Sequence, residues 1–375
     1  MNFIDNIEIK NFKSIRHQKI EGCKRINVFV GPPNVGKSNI LEALGIFSIS
    51  DNTLPFSDFV RMGKPTTLFF NGVIENNIQI ILNDFFRAKI KYEKEGIFVS
   101  MQEVRYLNNN FENIDPEIEN KRILNELDSL DKIIIKGSYF ISIENNQISN
   151  LRGDSQMRIY DNLDNDRLNS NVVNRVPVFK YEFKKNLRYN SSHPLNLKHP
   201  FGENIFEIIS TKEELHESVT SILNSYGLNF LYDSEIQEYK ILKMDGNKFF
   251  TVPYFMTADT LRRLIFYKAA VLSNNKSILL FEEPEANCYE PYIMEITNAI
   301  KNDKNENQFF IVTHSQYVID ELMRDEGSRN DTNIYLVGLA NNETKVKLLS
   351  AKASKEAYQT GLNLFFNYQT LWDEN

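Results

Sequence analysis

The chain has 375 residues, 42% of them hydrophobic and 25% charged, with a formal net charge of −7. That balance belongs to a globular chain with ample length for a core, and it excludes wholesale disorder and a generally basic, histone-like nucleic-acid binder. Cys23 and Cys288 are the only cysteines, which excludes a disulfide scaffold and a Cys-rich zinc site. No apolar run reaches the ~18–20 residues of a bilayer span, and the N-terminus carries no signal pattern, so a cytoplasmic location is expected.

In chain order, Ile4, Ile7 and Ile9 open a strand leading to Asn11-Phe12. Ile26-Asn27-Val28-Phe29-Val30 is a short β-branched run suited to a strand buried on both faces. A glycine-bearing loop follows, then a helical pattern from Asn39 to Leu44. Residues 66–105 predict antiparallel strands: Thr67–Phe70 before an Asn71-Gly72 turn, Ile78–Leu82, and a pair around Glu95-Gly96. A short helix is predicted over 116–130, then two strands flanking Lys136-Gly137, then loops from 149 to 200, where Asn, Asp, Ser and Pro dominate. Ser210 and Glu213 stand at capping-box spacing before a helix with Leu215, Val219, Ile222 and Leu223 on one face and Gly227 at its end. A hairpin is predicted around Asp245-Gly246, a helix from Asp259 to Ser273, and buried strands at Ser277–Phe281 and Gln308–Thr313. Buried strands alternating with helices, interrupted by antiparallel strands, predict a mixed α/β fold.

Three motifs carry chemistry. Gly31-Pro32-Pro33-Asn34-Val35-Gly36-Lys37-Ser38 fits G-x-x-x-x-G-K-S/T and lies between a predicted strand and a predicted helix. In such a loop the backbone amides of Gly31, Asn34, Val35, Gly36, Lys37, Ser38 and Asn39 converge on phosphates, Lys37 reaches the outer phosphates, and the Ser38 hydroxyl holds Mg²⁺. A guanine-specific variant is excluded: no glycine has Asp three residues earlier, and the Asn-Lys pairs at 120, 247 and 275 are followed by Ile123, Phe250 and Ile278 where Asp is required. The second motif, Ser277–Phe281 running into Glu282-Glu283-Pro284-Glu285, delivers carboxylates to the C-terminal edge of a buried strand, where ligands collect in α/β sheets. Glu282 is the expected Mg²⁺ contact and Glu283 the residue that orients or deprotonates water. The third, Thr313-His314-Ser315, ends the next strand, and His314 is positioned to sense a γ-phosphate.

Together with Ile9-Lys10-Asn11-Phe12-Lys13-Ser14, these motifs resemble the ABC-type ATPases of the SMC/RecF/OLD-like group, and most of all its stand-alone prokaryotic AAA-family ATP-binding proteins. The resemblance implies a P-loop NTPase of ABC/SMC-like architecture with an antiparallel β subdomain and an inserted α/β lobe. Lys37 and Glu282 lie more than half the chain apart, so the expected division is 1–105 for the first part of the ATPase head, 106–235 for the inserted lobe and 236–375 for the rest of the head. The resemblance further implies ATP and Mg²⁺ as ligands, Glu283, His314 and Lys37 as catalytic residues, and a homodimer or higher oligomer closed through an ATP sandwich. The signature turn that grips the partner's γ-phosphate maps to Thr257-Ala258-Asp259, where Asp259 replaces the usual glycine and Arg262 and Arg263 are available to offset its charge. A separately encoded effector such as a nuclease, a role in phage defence and contact with DNA are implied by resemblance alone; a membrane partner is not.

Weaker signals accompany these. Arg175, Lys180, Lys184, Lys185, Arg188 and Lys198 interleave with Phe179, Tyr181, Phe183 and Tyr189, a mix able to track a nucleic-acid backbone, although aromatics packed inward behind a solvated face are the preferred explanation. Pro116-Glu117 with Glu119 and Lys121 faintly resembles a nuclease metal site, Asp161, Asp164 and Asp166 lack the glycine and final Glu of a calcium loop, and His193 and His199 read as loop residues.

Overall fold

The computed structural model describes residues 4–49, 56–83, 86–93, 96–106, 132–144, 147–154, 157–160, 166–170, 177–190, 196–233, 235, 238–246 and 248–374. The chain forms two compact units, one made of Cys23–Ser48 and Pro177–Asn375 with the first residues, the other of Ile4–Gly22 and Ile49–Val176. These units cut the chain differently from the three segments expected above: residues 177–235 belong with the C-terminal half, and the opening strand belongs with the second unit.

The first unit is built on a six-stranded sheet in the order Val178–Tyr181, Ile278–Glu282, Gln308–Val312, Ile26–Val30, Thr332–Ala340, Glu343–Leu348. The first five run parallel and only the last pair is antiparallel. All five residues of Ile26–Val30 and of Gln308–Val312 are buried, as central strands of a parallel sheet require, and the two polar members are hydrogen-bonded: Asn27 Nδ2 donates to Phe309 O and Gln308 Nε2 to Lys24 O. Helices Lys37–Gly45, Asp259–Ser273, Glu290–Lys301, Gln316–Arg324 and Ala351–Thr360 belong to this unit. Two of them start on side-chain caps: Ser315 Oγ accepts from Val318 N–H, and Ser350 Oγ from Ala353 N–H. A three-stranded antiparallel sheet, Leu228–Asp233, Glu238–Asp245 and Lys248–Pro253, completes the unit, its second turn passing through Gly246 at φ 57°.

The second unit holds a seven-stranded antiparallel sheet in the order Ile15–Ile20, Ile7–Phe12, Ile78–Leu82, Phe86–Glu93, Gly96–Tyr106, Lys132–Glu144, Gln147–Asp154, and a separate pair, Met157–Tyr160 with Asp166–Ser170. In the described part of this unit, Ile7, Ile9, Ile78, Ile80, Leu82, Ile90, Ile97 and Val99 are buried on one alternating face.

Four local expectations are corrected. Thr67–Phe70 is not a strand; the stretch forms two short 3₁₀ turns, Pro65–Leu68 and Phe70–Gly72, begun by a proline whose fixed φ suits a helical first position. Lys136-Gly137 is no turn but the middle of the strand Lys132–Glu144. The stretch 149–200 is not all loop, because Val178–Tyr181 pairs in parallel with Ile278–Phe281. The capping box at Ser210 does not form: Ser210 Oγ donates instead to Glu207 O within helix Ile205–Thr211, and Lys212 stands at the start of the next helix, Glu213–Ser225. The helix predicted over 116–130, the Pro116-Glu117 site, Asp161, Asp164, Arg175 and His193 lie outside the described residues.

Candidate active site

The three motifs meet because their strands are neighbours. Ile278–Glu282, Gln308–Val312 and Ile26–Val30 are adjacent and parallel, so the residues leaving their C-terminal ends share one edge of the sheet. At that edge, Gly31–Gly36 loops back into helix Lys37–Gly45, with Asn34 at φ 61° and Gly36 at φ 98°, the left-handed turns that aim successive amides inward. Gly31 tolerates no side chain, since a Cβ there would collide with the Val337 carbonyl oxygen. The loop is braced from behind: Thr344 Oγ1 donates to Val35 O at 2.8 Å, and Tyr368 Oη to Val337 O at 2.8 Å.

Lys37 is 5% exposed and lies folded against its own loop, Nζ donating to Gly31 O at 3.0 Å and Pro32 O at 2.6 Å. Burial lowers its pKa to about 8, against the opposing pull of Glu283 and Glu282. The lysine therefore sits within the field of both carboxylates and retains a proton at neutral pH.

Glu283 is held in the left-handed region at φ 45°, unusual for a residue with a side chain, and its N–H donates to Val312 O at 2.8 Å. Its Oε1 lies 3.5 Å from His314 Nε2, with both side chains partly exposed. Burial and the Lys37 charge depress the His314 pKa, while Glu283 opposes them, which favours a neutral imidazole. Arg263 Nη1 reaches the Glu283 carbonyl at 3.5 Å and stacks over Phe183 at 4.9 Å.

Glu285, quoted in the motif but given no role by its sequence, ties two strand ends together. Its Oε1 accepts from Thr313 Oγ1 at 2.7 Å and from His314 N at 2.9 Å, which fixes the backbone that presents the His314 ring. Oε2 is buried and meets no hydrogen-bond donor among the described residues. Burial outweighs the hydrogen bonds and raises this carboxyl's pKa. The only sequence signal was an acid one residue past the proline that follows Glu283.

The signature-like stretch makes its polar contacts within the chain. Thr257 Oγ1 donates to Tyr254 O at 2.6 Å, and Ala258 precedes the helix Asp259–Ser273. Asp259 is paired with Lys185 Nζ at 2.6 Å and with Arg262. Arg262 itself is 2% exposed and also donates to Lys185 O at 2.9 Å, so its guanidinium is engaged within the chain. In the basic–aromatic segment the rings pack inward, Tyr181, Phe183 and Tyr189 against the core; Lys180 is buried and Lys184 lies 3.2 Å over the Phe201 ring, whereas Lys185 and Arg188 are exposed. His199 bonds Ser48 O at 2.9 Å, and no group of three metal-ligating side chains occurs among the described residues.

The available oxygens, Ser38 in the first helical turn and Glu282 at the strand end, fit a hard cation such as Mg²⁺, which is commonly held by one or two protein oxygens together with substrate phosphates. A phosphate-binding loop, an acid pair and a histidine on adjacent parallel strand ends define a P-loop ATPase of the SMC/RecF-like class. The family model described as "AAA domain, putative AbiEii toxin, Type IV TA system" matches residues 26–320, and the chain belongs to that family. It is 23% identical over 364 residues to an ATP/GTP phosphatase of Helicobacter pylori, covering 88% of this chain and 91% of that protein. A DNA replication and repair protein RecF of Thermoanaerobacter sp. is 38% identical over 47 residues, covering 12% of this chain and 13% of that protein. Among solved structures, an SMC head bound to the C-winged helix domain of ScpA is similar at 15% identity and a TM-score of 0.48, covering 95% of this chain and all of the other.

Proposed function

We propose that this ATPase hydrolyses ATP with Mg²⁺ and uses the cycle to open and close a homodimer, or a higher oligomer, that controls a separately encoded effector, such as a nuclease, or DNA. The observation that carries the chemistry is the grouping of Lys37, Glu283 and His314 at one sheet edge, with Glu283 and His314 3.5 Å apart and Lys37 in the field of both acids. The amides of Gly31 and of Asn34 through Asn39 would bind the phosphates, and the positive end of helix Lys37–Gly45 adds to them. Lys37 would swing from its loop carbonyls to the outer phosphates. Ser38 and Glu282 would hold Mg²⁺, which when bound neutralises charge on the phosphate oxygens. Glu283 would orient and deprotonate the attacking water, and a neutral His314 would donate toward the γ-phosphate, with Glu285 keeping its backbone in place. Thr257 and Asp259 would face the nucleotide of a second copy, while Arg262 supports Asp259 from behind.

The similarity to the H. pylori phosphatase supports hydrolysis, and the family description, which names a putative toxin of a type IV toxin–antitoxin system, supports a toxin–antitoxin setting; phage defence and a cytoplasmic location belong to the same reading. No helix among the described residues is long and apolar enough to cross a membrane. One observation favours a second reading, a nucleotide-gated scaffold with negligible turnover: the signature position holds Asp259, locked between Lys185 and Arg262, where a glycine would let a partner's phosphate approach. A RecF-like DNA-repair ATPase rests on the short RecF similarity alone.

Phosphate release from ATP, with and without duplex DNA, separates these readings when wild type is compared with Glu283→Gln. Loss of the proposed base is expected to slow turnover by about 10²–10⁴-fold while ATP still binds. Equal turnover in both proteins would refute the role of Glu283, and no turnover in either would leave the scaffold reading.

A further inference from the structure

Beside the signature-like turn lies a cavity of about 500 Å³ that the ATPase chemistry does not use. It falls in the roughly 300–1,000 Å³ range of small-molecule pockets. Four elements of the same unit enclose it: the end of helix Glu213–Ser225, the three-stranded sheet, the start of helix Asp259–Ser273 and the start of helix Glu290–Lys301. Its floor is apolar and buried, formed by Leu223, Ile241 and Leu261. One wall is aromatic, made by Tyr226, Tyr289 and Tyr292, with Tyr292 Oη donating to Tyr226 Oη at 2.9 Å and the Tyr289 and Tyr292 rings 5.5 Å apart.

The polar groups are few and of one sign. Lys243 stands exposed at the rim and has no carboxylate partner among the described residues. Thr257, Ala258 and Thr260 bring the positive end of a fifteen-residue helix to the cavity, and Ala258 supplies no side-chain cap there. Asp259, the acid nearest to them in sequence, is held by Lys185 and Arg262 and is not part of the lining.

We infer that this cavity is a binding site for a small, flat, largely apolar molecule carrying one anionic group. The body of the ligand lies against the tyrosines and the aliphatic floor, and its charge meets Lys243 and the helix N-terminus. Thr257 and Ala258 belong both to this lining and to the turn proposed to meet a partner's nucleotide, so an occupant changes ATP turnover. That coupling rests on the ATPase reading, whereas binding does not.

The test is a fluorescence titration of the full chain, without nucleotide, using two dyes of similar shape: anionic anilinonaphthalene sulfonate and uncharged phenylnaphthylamine. One dye of either kind is expected to bind per chain. Val252→Trp, which fills the cavity from a partly exposed strand position, is expected to abolish both. Lys243→Glu is expected to weaken the anionic dye by roughly three- to tenfold and leave the neutral one within about twofold. Unchanged binding to a Val252→Trp protein with native circular dichroism would overturn the site. Equal effects of Lys243→Glu on both dyes would overturn the anionic preference, and this exposed substitution keeps the test available if Val252→Trp fails to fold. Dye binding that leaves phosphate release untouched would overturn the coupling alone.

Discussion

Removing Glu285 tests whether the site is held together by a buried carboxyl that touches no substrate. In Glu285→Ala, Thr313 Oγ1 and His314 N lose the acceptor they now reach at 2.7 and 2.9 Å. Thr313 is fully buried, so its hydroxyl is left without that partner at a cost of about 1–3 kcal/mol, and the lost amide contact adds about 1 kcal/mol. Against this stands the relief of removing a buried carboxyl whose Oε2 meets no donor among the described residues, which leaves a net destabilisation of about 2–3 kcal/mol. Glu285→Gln keeps an acceptor oxygen and is expected to stay within about 1 kcal/mol of wild type at neutral pH. The two neutral-side-chain variants also predict a sign. Because burial raises the Glu285 pKa above 4.5, the native state holds this proton more tightly than the unfolded chain. Wild-type stability relative to Glu285→Gln is therefore greatest below pH 4.5, falls as pH rises toward the native pKa, and is level above it. Urea denaturation of all three proteins across pH 4–8 measures both effects. An alanine variant within about 0.5 kcal/mol of wild type, or a wild-type-to-Gln difference flat with pH, would refute the reasoning.

Two further substitutions probe the frame of the site. Gly31→Ala puts a methyl group against the Val337 carbonyl, a backbone atom that cannot turn aside; a loss of about 2–4 kcal/mol in thermal or urea unfolding is expected, along with weaker ATP binding by calorimetry. Asp259→Ala leaves Arg262, 2% exposed, without its carboxylate, and a loss of about 1–3 kcal/mol is expected, whereas Lys185→Ala, removing the exposed partner, costs under about 1 kcal/mol. Similar losses for Asp259→Ala and Lys185→Ala would show that the buried arginine does not depend on this acid.

What could be read from the residues followed the range of the interaction involved. Ile26–Val30, Ile278–Phe281 and Gln308–Val312 declare themselves as short, mostly apolar runs, and the loop after the first is specified by its own glycines and lysine, so Lys37, Glu283 and His314 were legible as separate strand-end residues. Their meeting was inferred from family resemblance, because strand order is set by pairings between segments far apart in the chain. The same range limit hid Val178–Tyr181: Lys180 breaks its apolar pattern, and only the docked sheet buries that lysine and draws it 3.4 Å from Glu182. It hid Glu285 as well, whose donors are brought in by the following strand. At Ser210 a local signal was present and lost, since its hydroxyl found the Glu207 carbonyl inside one helix before it could cap the next. The cavity beside Thr257 is the extreme case: Tyr226, Lys243 and Tyr289 come from a helix end, a strand and a loop, and no single segment carries a pattern that announces them together.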